Sequence, residues 1–127
     1  MSPTTLSAVL LFSTTVIQYR ATMVPDKRIF IAAQSITDDE GIMAWTKCIS
    51  GSNVYVIQMT DKLVHANKKS IKFAAVHELC HIKKHGKVIC DYELFKSLSM
   101  VRRAEMENEA NTCAIETLSK KIRMQKY

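Results

Sequence analysis

The stretch Ser70-Ile-Lys-Phe-Ala-Ala-Val-His77-Glu78-Leu79-Cys80-His81-Ile-Lys-Lys-His85-Gly86 decides how this chain is read. His77 and His81 are four residues apart. On a helix that spacing projects both imidazoles from one face, about one turn apart, where they can offer two nitrogens to a single tetrahedral zinc. Glu78 directly follows the first histidine and falls beside such a metal rather than on it. There it is placed to take a proton from a zinc-bound water. H-E-x-x-H on a helix is the metalloprotease signature of that chemistry. The competing explanation, an amphipathic helix with incidental surface histidines, is weakened by the apolar run Phe73-Ala74-Ala75-Val76 that leads into the motif. Gly86 reads as a left-handed C-terminal stop, with Lys83, Lys84 and His85 in the last turn, where cations are favoured.

Working outward, 127 residues suit one domain, 1–127, with a modest single core. Apolar residues at 47% and charged residues at 24% describe an ordinary globular chain. The net charge is +6, but the basic residues come as scattered pairs (Lys68-Lys69, Lys83-Lys84, Arg102-Arg103, Lys120-Lys121) without interleaved aromatics. Solvated helix faces account for them better than direct nucleic-acid binding does. Cys48, Cys80, Cys90 and Cys113 form no C-x-x-C pair, so a zinc ribbon is not indicated. Cys80, inside the motif helix, and Cys113, on an apolar helical stripe, read as small buried side chains in a reducing compartment. The first residues lack a basic signal-peptide region, and the apolar run from Leu6 to Ile17 is too short to span a bilayer. A cytoplasmic protein without a membrane segment is expected.

The predicted elements form a small α+β unit. Ser2 as N-cap and Pro3 at the first helical position open a helix to about Met23, with Leu6, Val9, Leu10, Val16 and Ile17 facing the core. The β-branched cluster 14–17 would also suit a strand. After a turn at 24–27, a strand is expected at 28–33, then an acidic loop, Thr37 to Gly41. Two further strands, Ile42 to Ile49 and Asn53 to Met59, are joined by the hairpin connection 50–53. The three strands are read as one antiparallel sheet. Residues 61–67 connect to the motif helix, 87–98 are poorly patterned, and a long helix runs from Met100 to about Met124. Its expected apolar positions are Val101, Ala110, Cys113, Ala114, Leu118 and Ile122.

A catalytic zinc of this type takes three protein ligands and leaves one position open. The last helix offers Glu105, Glu107, Glu109 and Glu116, most of them readable as a solvated face beside Arg102 and Arg103. Glu107 stands out because it shares a side of the helix with Asn111 and Ala114. Asn111 could then hydrogen-bond a ligand histidine. Transition-state stabilisation needs a donor besides the metal, and Tyr92, His85 and His65 lie near the motif in sequence. A substrate peptide could add to a sheet edge, with Asn53 to Met59 the candidate strand.

H-E-L-C-H-I at 77–82 followed by E-N-E-A-N-x-x-A-x-x-x-L at 107–118 resembles the ImmA/IrrE family of metallopeptidases, within the thermolysin-like zinc peptidases. Members carry H-E-x-x-H-x and then E-x-E-A-N-x-F-A-x-x-L-L, so the resemblance covers Phe73 to Leu118. It implies a minimal zincin-like core in which His77 and His81 bind one Zn2+ and Glu78 is the general base. A glutamate of the E-x-E-A-N run would be the third ligand: Glu107, with Glu109 as the alternative. Cys113 stands where the family has phenylalanine, and Thr117-Leu118 where it has two leucines. The function implied is limited proteolysis of a specific protein, such as a DNA-binding transcriptional repressor. The alternative is a non-catalytic zinc-binding regulator acting by protein–protein binding, although a purely structural site has no need of Glu78. A small basic DNA-associated protein with an accidental motif is the third reading.

Overall fold

The computed structural model describes residues 3–36, 41–50 and 53–125. Helix α1 (Pro3–Met23) is followed by strands β1 (Arg28–Ile36), β2 (Ala44–Ser50) and β3 (Val54–Thr60). Four helices then complete the chain: α2 (Asp61–Val64), α3 (Lys68–Ile89), α4 (Tyr92–Lys96) and α5 (Met100–Gln125). The expected Ser2 cap, residues 37–40 of the acidic loop and the hairpin positions 51–52 lie outside the described residues. Gly41, the last residue of the acidic segment, adopts the left-handed φ of 77° that glycine accommodates without steric cost.

The sheet is mixed rather than antiparallel. β3 is its central strand, with β2 antiparallel on one side and β1 parallel on the other. Alternation along each strand says which residues share a face, but not which strand lies beside which. β2 and β3 are antiparallel neighbours, and β1 joins β3 from the other side. The central strand behaves as its pattern predicts: Tyr55, Ile57 and Met59 are buried, and Val54, Val56 and Gln58 are half-buried. Register brings Cys48 beside Tyr55, Thr46 beside Ile57 and Ala44 beside Met59 on the buried face. Asn53 to Met59 is therefore not an edge. The antiparallel edge is β2, and it packs against α3.

α3 is the centre of the fold, packed against α1, β2 and α5. The Asn67 side chain caps its start by accepting from the Ser70 amide at 2.8 Å. The buried face of α1 is Ala8, Val9, Phe12, Thr15, Val16 and Tyr19, while Leu6, Leu10 and Ile17 are exposed. That helix is apolar nearly all round, so periodicity alone misplaces its inner face; the bulky Phe12 and Tyr19 fill the core. On α5, Met106, Ala110, Cys113 and Ala114 are buried, Leu118 is partly buried and Val101 is exposed. The Ile122 side chain lies outside the described set. No helix among the described residues is long and apolar enough to cross a membrane.

The cysteines are paired rather than free thiols: Cys48 with Cys90 and Cys80 with Cys113. Their partners are 42 and 33 residues away, which is why spacing along the chain did not reveal them. Each closes a loop long enough to stabilise the fold by about 4 kcal/mol on the chain-entropy account. One joins β2 to the residue after α3, the other joins α3 to α5.

Gly86 does not end α3, which continues to Ile89. Its role is close approach, because a Cβ built there would stand 2.7 Å from the Tyr55 hydroxyl. Gly86→Ala should therefore lower stability by about 1 kcal/mol, overpacking outweighing the gain in helix propensity. In a Tyr55→Phe background the same change should become neutral or stabilising, and urea denaturation of the four proteins in the cycle checks this.

Candidate metal centre

Three histidines, His77, His81 and His85, follow one another at four-residue intervals along α3 and stack along one face. His81, His85 and Glu78 are buried, at 8%, 4% and 5% exposure. The ligating atoms of His77, Glu78 and His81 can all lie within 4.8 Å of one another. α5 then brings Glu107 across. Its Oε2 is 3.1 Å from His77 Nε2, its Oε1 is 2.8 Å from His81 Nε2, and the two Nε2 atoms are 3.1 Å apart.

Such convergence fits a tetrahedral cation. Bonds of about 2.0–2.1 Å hold donor atoms about 3.3 Å apart around zinc, within about half an ångström of the three separations here. Two neutral imidazoles and one carboxylate also match the donor types of a zinc with an open fourth position. The Glu107 side chain is 59% exposed, so the cluster faces solvent on that side. Glu109, two residues on, meets neither His77 nor His81. It accepts from His85 Nε2 at 2.7 Å and from Arg102 Nη1 at 3.0 Å.

Glu78 is held apart from this cluster. Its Oε2 is 3.9 Å from His77 Nε2, and its Oε1 accepts a hydrogen bond from the Thr46 hydroxyl at 2.8 Å. Thr46 reaches it because the strand register turns that side chain toward the core. Asn111, one turn beyond Glu107, lines the same cavity as His77, and His77 Nδ1 is buried without a hydrogen-bond partner among the described residues.

The cluster lies in an apolar cavity of about 660 Å³, walled by Trp45, Phe73, Ile89, Phe95, Leu98 and Met106. Thr60 fixes one wall: its hydroxyl reaches the carbonyl oxygens of Ile42 and Met43 at 2.6 and 3.0 Å. Of the expected donors, Tyr92 is 71% exposed beneath the Lys96 ammonium, and His65 caps the end of α2. Neither lines the cavity. His85 is engaged with His81 and Glu109 instead. The cation that does line the cavity is Arg103, stacked on Phe95 at 4.6 Å and donating to its carbonyl. Its signal in the sequence was position: it precedes Glu107 by four residues, on the same helix face. Thr46 had only its strand alternation to mark it.

The charges act on one another strongly. Hydrogen bonds to His77, then His81, hold the Glu107 carboxyl well below the usual carboxylate range. Burial alone would lower the His77 pKa, but the hydrogen bond to Glu107 and the charges of Glu78 and Glu107 raise it. Burial pushes Glu78 from 4.5 up to about 6, against the pull of His81, His77 and the Thr46 hydroxyl, with Glu107 adding to the rise.

A folded-state pKa above the unfolded one favours folding while the carboxyl is protonated. That advantage is complete below 4.5 and lost as pH rises through about 6. The shift corresponds to about 2 kcal/mol. With a chelator present, the stability difference between Glu78→Gln and the parent should therefore move in favour of the variant by about 2 kcal/mol from pH 4 to pH 8. Equal urea midpoint shifts at both pH values would show that Glu78 titrates without this penalty. Compared with protein-family models, curated proteins and solved structures, the chain matches none.

Proposed function

We propose that this chain is a zinc-dependent endopeptidase of the kind its sequence resembles in the ImmA/IrrE family, acting on a specific protein. The observation that carries the reading is the meeting of Glu107 with both imidazoles, while a separate buried carboxylate stands beside them. His77, His81 and Glu107 would hold the metal. Zinc bound there supplies a Lewis acid that acidifies water and polarises a carbonyl.

The remaining work falls to the chain's own groups. Glu78, with a carboxyl tuned to about 6, is ionised at neutral pH yet basic enough to accept a proton from the attacking water and return it to the leaving amine. The Thr46 hydroxyl fixes its orientation. Arg103 is the cation available to a substrate carbonyl or carboxylate at the cavity. The apolar walls exclude water and accept an uncharged side chain. The outer strand β2, beside the cavity, is the place where an extended substrate would pair as an added strand. A DNA-binding repressor as substrate rests on the family resemblance.

Elemental mass spectrometry should find about one zinc per chain, lost in His77→Ala, His81→Ala and Glu107→Ala and held more weakly, but not lost, in Glu109→Ala. Against a peptide library read by mass spectrometry, Glu78→Gln should keep its zinc yet cleave at least about 10²-fold more slowly. Failure to take up zinc would remove the metal reading. Cleavage at the parental rate by Glu78→Gln would remove the role of the base. Zinc binding with no cleavage by the parent would favour the non-catalytic regulator.

A further inference from the structure

Behind His81, on the side away from Glu107, runs a chain of polar contacts that the proposed reaction does not use. His81 Nδ1 is 3.1 Å from His85 Nδ1, His85 Nε2 is 2.7 Å from Glu109 Oε1, and Glu109 Oε2 is 3.0 Å from Arg102 Nη1. The chain crosses from the buried interior of α3, where the His85 side chain is 3% exposed, to the surface of α5, where Arg102 is 41% exposed. His85 repeats the four-residue spacing of the motif but lies outside the cluster that meets Glu107.

Hydrogen-bond arithmetic gives this chain one direction. Arg102 is always a donor, and an ionised Glu109 can only accept. His85 must therefore donate from Nε2. A neutral imidazole has one donor and one acceptor, so His85 Nδ1 must accept. Its neighbour at 3.1 Å is the other Nδ1, so the proton between them sits on His81. His81 Nε2, which faces His77 and lies 2.8 Å from Glu107 Oε1, donates to that carboxylate without metal and is the nitrogen that exchanges its proton for a bound ion, while Nδ1–H stays in place. We propose that His85, Glu109 and Arg102 are positioning residues that lock His81 in the Nδ1–H form, so that its Nε2 is committed to metal. A ligand histidine ordinarily gives its second N–H to a carboxylate, a carbonyl or water. Here a second histidine is interposed, and the carboxylate acts through it.

The proposal deepens the zinc reading and rests on it for its consequence, but its hydrogen-bond pattern can be tested without metal. In the 15N-labelled full chain, with and without zinc, a coupling across the hydrogen bond should link the two Nδ1 atoms. The proton should be bonded to His81 Nδ1, and the other His85 proton to Nε2. A proton bonded to His85 Nδ1 would overturn the proposal. Among variants that retain the parental fold by circular dichroism, His85→Leu should bind zinc about 10- to 100-fold more weakly. His85→Gln, whose carbonyl can accept from His81, should recover most of the loss. Equal zinc affinity in His85→Leu and the parent would also overturn it. Should the parent bind no zinc while the proton sits on His81, the metal reading fails and the relay stands.

Discussion

Glu107 lies 30 residues from His77 along the chain and 3.1 Å from it in space. The approach of α5 to α3 that closes this distance is the constraint on which the site depends. Neither helix supplies the centre alone. α3 carries two imidazoles and a carboxylate by its own periodicity, but two nitrogens do not hold a tetrahedral ion firmly. The third donor comes only when Met106, Ala110 and Ala114 bury themselves and turn the Glu107 face toward the histidines. Small residues at 110 and 114 let the helices approach closely enough for a glutamate to span the gap.

Crowding two carboxylates and three imidazoles onto one helix pair is costly unless the scaffold resists relaxing away from it. Two features supply that resistance. The Cys80–Cys113 disulfide ties α3 to α5 within the motif itself, and the Cys48–Cys90 disulfide ties β2 to the end of α3. The elements so fastened are those that bring Glu107 to the histidines and Thr46 to Glu78. The same environment separates the two carboxyls chemically. Glu107, hydrogen-bonded to both imidazoles, stays ionised, whereas Glu78, buried, is pushed up to about 6. One group suits holding a cation and the other suits moving a proton, and burial and neighbours account for the difference.

Much of this was legible in the sequence. The motif helix, the extents of the two long helices and the alternation of the central strand all follow from local periods of 3.6 and 2. What escaped were relations between elements. Strand order placed β3 at the centre of a mixed sheet, and an all-round apolar α1 concealed which side faces inward. Gly86 looked like a helix stop, because a glycine that admits a tyrosine hydroxyl has the same sequence signature as a glycine that ends a helix. The cysteines read as free because their partners lie on other elements.

The sequence by itself determined that His77, Glu78 and His81 share one turn of helix, since a four-residue spacing returns to the same face whatever surrounds it. Tertiary structure decided which glutamate meets them. Glu107 and Glu109 are two residues apart, about 200° around the helix axis, and only the rotation of α5 against α3 selects between them. It sends Glu107 to His77 and His81, and Glu109 to His85 and Arg102. Thr46 reaches Glu78 for the same kind of reason, through a strand register that no single stretch of sequence contains.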